Sequence, residues 1–83
     1  MTREEISQIN SKALIVDGFD KAIVGMAEGI NSGSVVAYDI DKIINIMMER
    51  DGMDYTEAYE FYSYNIADAY LGEYTPIFIN TET

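Results

Sequence analysis

The 83 residues carry fifteen acidic side chains against five basic ones, a formal charge of −10, with 48% apolar residues and neither cysteine nor histidine. Disulfides, thiolate or imidazole metal ligands, thiol nucleophiles and the commonest general base are thereby excluded. So is direct binding to nucleic acid or to an anionic membrane, because both would repel a chain of this charge.

A chain this short buries only about 60% of its unfolded surface and has room for one core. A single domain over residues 13–80 is expected, with residues 1–12 a polar tail or short helical turn and residues 81–83 a C-terminal tail. No apolar run approaches the ~20 residues that span a bilayer, and the start MTREEISQIN has no signal-peptide core. The expectation is a soluble, intracellular protein.

After Met1, Ile6 and Ile9 are the apolar residues of an otherwise polar start. Two apolar runs, 13–16 and 22–24, then flank Asp17-Gly18. An Asp-Gly pair in that setting signals a hairpin, because the turn that matches strand twist needs positive φ. A helix from Asp20 competes, since Phe19, Ile23, Met26 and Ile30 fall at helical spacing. The weak helix formers Ile23, Val24 and Gly25 favour the hairpin. Residues 28–34 read as a loop and residues 35–38 as a strand.

Asp39 or Asp41 caps a helix running to about Asp51, with Ile40, Ile43, Ile44 and Met47 on one face and Gly52 at its C-terminus. Asp54, with Glu57 three residues on, opens a second helix that continues to about Leu71 and stops at Gly72. Thr75-Pro76 then leads into a strand over 77–79. The sum is an α+β fold, a small three- to four-stranded and mainly antiparallel sheet covered on one face by two helices. The order is β-β-β-α-α-β, or β-α-β-α-α-β if residues 17–28 are helical.

Residues 51–83 hold seven carboxylates and six of the seven tyrosines but no lysine or arginine. On a wheel of 100° per residue, Ala58, Phe61, Tyr62, Asn65, Ile66 and Ala69 fall within about 140°, the width of a core stripe. Tyr62, with Tyr55 and Tyr59, is expected at least partly against the sheet, and Tyr70 and Tyr74 are intermediate. Glu57, Glu60, Tyr64, Asp68 and Leu71 gather on the other side, with Glu73 and Tyr74 beyond the helix. These seven are the candidate partner-binding residues. An aromatic anchor ringed by acids suits a basic groove. The competing reading is a single exposed aromatic on a solvated acidic face.

Other constellations have simpler readings. Asp17-Gly-Phe-Asp20 and Asp51-Gly-Met-Asp54 repeat D-G-x-D, but neither has the alternating acids and twelfth-position glutamate of an EF-hand. Turn and cap chemistry accounts for both. Asp39 and Asp41, with Glu28 or Asp20, could hold a cation; favourable interaction with a helix dipole is the simpler account. No serine has a histidine to activate it, and there is no glycine-rich phosphate loop. No catalytic residue, metal site or cofactor is expected.

Four segments also stand together: LIVDGFDKAIVG (14–25), VAYDIDKII (36–44), RDGMDYTEAYEF (50–61) and NIADAYLGEYTPIF (65–78). In this order they resemble a group of small uncharacterised proteins encoded by tailed bacteriophages, a likeness that spans roughly residues 13–79. The resemblance implies expression in the cytoplasm of an infected bacterium and brings no activity with it. It also implies a cysteine in many relatives at the position of Ile43, so a thiol function there would not apply to this chain.

The leading expectation is a non-catalytic interaction module that binds or inhibits a host protein with a basic surface, nucleic-acid mimicry being one form. One alternative is a self-associating structural or accessory phage protein, a homodimer meeting through Ile46, Met48 and Leu71. Another is a small-ligand or cation-binding protein.

Overall fold

The computed structural model describes residues 1–28, 33–69 and 71–81. It begins with a helix, α1 (Arg3–Ile9), where the sequence suggested a tail or one loose turn. Thr2 and Glu5 close a capping box. The Glu5 amide donates to Thr2 Oγ1 at 3.2 Å, and the Thr2 amide donates to Glu5 Oε1 at 2.9 Å. These two bonds satisfy N-terminal amides that a short helix would otherwise leave to water. Ile6 then reaches the core at 1% exposure, while Ile9 stays 51% exposed.

The expected hairpin about Asp17-Gly18 does not form. Those residues do make a turn, with Gly18 at φ +90°, but residues 13–16 leave α1 as irregular chain rather than a strand. Besides the local bond from the Ala13 amide to the Asn10 carbonyl, two bonds tie that segment to distant chain: the Leu14 amide donates to the Tyr74 carbonyl at 3.2 Å, and the Val16 amide to the Tyr38 hydroxyl at 2.8 Å. The rival helix from Asp20 is a single 3-10 turn, Asp20–Ala22. After it the β-branched residues and Gly25 run extended in β1 (Ile23–Glu28).

The hairpin lies one segment later. β1 pairs antiparallel with β2 (Ser34–Asp39), and Val24 forms a bulge between Ile23 and Gly25. The loop expected over 28–34 falls mainly on residues outside the described set. β3 (Ile77–Ile79) pairs parallel to β2, aligning Phe78 with Tyr38, so the sheet is mixed, in the order β1-β2-β3. Pro76 precedes β3, where its missing amide costs the ladder nothing.

Between β2 and β3 run α2 (Ile40–Asp51) and α3 (Tyr55–Phe61). Both sets of caps match the sequence. Asp39 Oδ1 accepts from the amides of Asp41 and Lys42, and Gly52 ends α2 at φ +70°, a conformation costly to any residue with a Cβ. Asp54 and Glu57 form the second capping box. Instead of one helix to Leu71, however, α3 passes into a π-helical segment, Tyr62–Ala67. Residues four apart drift about 40° around an α-helix. The wider π turn offsets that drift and keeps Ala58, Tyr62 and Ile66 in line on the core.

Those three side chains join Ile43, Ile44 and Met47 of α2, and Val36 and Tyr38 of β2, in one buried cluster with Ile6 and Phe19. The fold is α+β, with α2 and α3 packed on the Val36 and Tyr38 face of the sheet. Burial of each large apolar side chain in that cluster stabilises the fold by about 1.5–3 kcal/mol.

Candidate interaction surface

The line Ala58–Tyr62–Ile66 faces the core, so the rest of α3 and its continuation faces outward. Tyr64 is 77% exposed, and Glu57 and Glu60 are exposed beside it. These three, with Met53, Phe61 and Asn65, line a shallow depression of about 350 Å³. The capping box positions Glu57, whose Oε1 accepts from the Asp54 amide, leaving Oε2 without a hydrogen-bond partner among the described residues. The carboxylate of Glu60 accepts no hydrogen bond from any described residue. Asn65 Nδ2 donates back to the Phe61 carbonyl at 3.2 Å, which fixes the amide on the same rim.

The other candidate residues lie elsewhere. Asp68 and Glu73 are exposed but outside the depression. Leu71 is 67% exposed and lines a separate apolar cleft of about 170 Å³ with Val16, Ile66, Pro76 and Phe78. Tyr74 is half-buried, and its carbonyl anchors Leu14. Of the residues proposed for a dimer face, Ile46 and Met48 pack partly buried against the core, and Ile46 and Leu71 line different clefts.

The core stripe is narrower than the wheel suggests. Phe61 is 41% exposed, and Asn65 and Ala69 are exposed as well. A three-stranded sheet and one neighbouring helix cover little more than the i, i+4 line, so the flanks of the expected arc reach solvent. Tyr55 and Tyr59, expected against the sheet, are 57% and 45% exposed. They nevertheless extend a ladder of rings outward from the core. Tyr38 and Phe78 stack at 5.8 Å, Phe78 and Tyr62 meet edge-on at 5.6 Å, and Tyr62 and Tyr59 meet edge-on at 6.0 Å. Tyr59 and Tyr55 stack at 6.1 Å. Such geometry is favourable for aromatic quadrupoles. Tyr70 lies outside the described residues.

Three of the five cationic residues are gathered at a different cleft. Arg3, Lys21 and Arg50 line a larger cleft of about 660 Å³ with Gly18, Asp20 and Ile46. Arg3 is forked to Asp20 and reaches Asp17, and its hydrogen bonds hold the Asp20 carboxyl below the ordinary range. Arg50 pairs with Asp51, donates to the Gly18 carbonyl and lies 4.9 Å over the Phe19 ring. Both D-G-x-D repeats are therefore occupied by turn, cap and ion-pair roles.

Asp39 is committed too. Its Oδ1 caps α2 and its Oδ2 accepts from the Thr81 hydroxyl at 2.7 Å. Burial pushes this carboxyl up, but the bonds from Thr81, Lys42 and Asp41 outweigh that and hold it below the ordinary range. Among the described residues no group of three or more acidic side chains is placed to hold a metal ion, and no helix is long and apolar enough to cross a membrane.

Comparison of the chain with protein-family models, with curated proteins and with solved structures found no match.

Proposed function

We propose that this chain is a non-catalytic interaction module of a tailed bacteriophage, acting in the cytoplasm of the infected bacterium. It binds and inhibits a host protein by engaging a basic surface on that protein. The observation that carries this reading is the depression formed by Glu57, Glu60, Phe61 and Tyr64, on a stretch of 33 residues that contains no lysine or arginine. The segment resemblance supplies the phage and host context.

The physical logic is direct. Exposed carboxylates draw a basic surface into encounter, which raises the association rate more than the final affinity. A large aromatic in the middle of the acids then supplies desolvated contact area at low entropic cost. Carboxylates on one face of a helix can stand in for the phosphates of a nucleic acid, so a nucleic-acid-binding protein is the natural target.

Affinity capture from a bacterial lysate tests this, comparing the native chain with a Glu57→Gln/Glu60→Gln/Tyr64→Ala variant. The native chain should recover a saturable partner that the variant loses, and duplex DNA and added salt should both displace that partner. Equal recovery by both chains would sink the reading.

A further inference from the structure

The depression alternates acids and rings in a fixed pattern. Glu57 and Phe61 are four residues apart on α3, and Glu60 and Tyr64 are four apart across the start of the π segment. Residues at this spacing are neighbours on a helix surface, roughly 5–6 Å between Cβ atoms. The surface therefore carries two side-by-side couples, each a carboxylate with an aromatic ring one turn on. Both rings are solvent-accessible, Phe61 at 41% and Tyr64 at 77%. Among the described residues both carboxylates keep acceptor capacity, Oε2 on Glu57 and both oxygens on Glu60.

We infer that this face takes arginine side chains of its partner in preference to lysine. The inference rests on the reading of the depression as a partner surface and specifies which basic group fits it. A guanidinium is flat and weakly hydrated: its face stacks on a ring while its edge donates two parallel bonds to a carboxylate. Each Glu–ring couple offers those two elements together. An ammonium is compact and strongly hydrated; it neither stacks flat on a ring nor offers two parallel donors, and its attraction to an exposed ring is weaker. The rim supplies a further acceptor, because Asn65 spends its Nδ2 on the Phe61 carbonyl and retains its side-chain oxygen. The chain's own two arginines, Arg3 and Arg50, are held by their own carboxylates at the other cleft.

The test titrates the isotopically labelled chain with acetylated, amidated tetra-arginine and with tetra-lysine at low salt, following shifts by NMR. Tetra-arginine should bind roughly five-fold or more tightly than tetra-lysine, since two exposed stacking contacts at modest strength suffice for that ratio. The shifts should centre on Glu57, Glu60, Phe61 and Tyr64. Phe61→Leu/Tyr64→Leu should lower tetra-arginine affinity to the tetra-lysine level and leave tetra-lysine unchanged. Tyr64→Leu alone, at a residue with little buried contact, should halve the preference or more if the double variant proves poorly folded. Tyr64→Phe should restore it. Equal affinity of the native chain for the two peptides, weakened alike by Glu57→Gln/Glu60→Gln, would overturn the arginine preference and leave the acidic face standing. An absence of shifts at these residues with either peptide would overturn both.

Discussion

The buried hydroxyl of Tyr38 accepts a hydrogen bond from the amide of Val16 at 2.8 Å. This single bond ties the irregular segment before the Asp17-Gly18 turn to the central strand, and it gives a buried polar group its partner. Removing the oxygen leaves the Val16 amide without an acceptor in a place water reaches poorly. Tyr38→Phe should therefore destabilise the fold by about 1–3 kcal/mol, read from urea unfolding, although the ring and its stack on Phe78 are kept.

The N-terminal helix contributes through one side chain. Ile6→Ala removes a residue at 1% exposure and should cost about 2–4 kcal/mol. Ile9→Ala, at 51% exposure on the same helix, should stay within about 0.5 kcal/mol. Equal costs for the two would show that α1 does not dock as described.

How much of this was legible in the sequence depended on whether the signal was local. Asp39, Gly52 and the Asp54–Glu57 box announced α2 and the start of α3 correctly, because caps are decided within four residues. Asp17-Gly18 announced a turn correctly but not which strands it joined, since pairing is decided by distant partners. The Thr2–Glu5 box was an equally local signal for α1, obscured because Ile6 is the one residue there that reaches the core. The regular wheel placed Tyr64, Glu57 and Glu60 outward as found. It misplaced Phe61, Tyr55 and Tyr59 because it assumes a constant twist and cannot know how narrow the covering sheet is.

Gly18 sits at φ +90°, and a Cβ built there would lie 2.9 Å from Arg50 Nη1. Arginine's flexible end can move aside, but the backbone angle cannot relax without opening the turn. Gly18→Ala should cost about 1–2 kcal/mol in thermal or urea unfolding.

Asp39 gives the fold a defined acid sensitivity. Its folded pKa lies below the ordinary carboxylate value, so its stabilisation is fully present above the unfolded pKa of about 4 and is lost as pH falls through the folded value. Asp20, held down by Arg3, acts in the same direction. Asp39→Asn should be less stable than the native chain at pH 7, and the gap should close below about pH 4 in urea midpoints measured across that range. A gap that is constant with pH would mean the charge of Asp39 is not what matters.

The central claim is that a basic partner covers the face formed by Glu57, Glu60 and Tyr64. Carbodiimide labelling of carboxylates, quantified residue by residue in the free chain and in the captured complex, tests it most directly. Labelling of Glu57 and Glu60 should fall sharply in the complex while Glu28 and Glu49 remain as reactive as in the free chain. Protection at Glu49 and Asp20, with Glu57 and Glu60 still fully labelled, would place the partner on the other cleft and contradict the account.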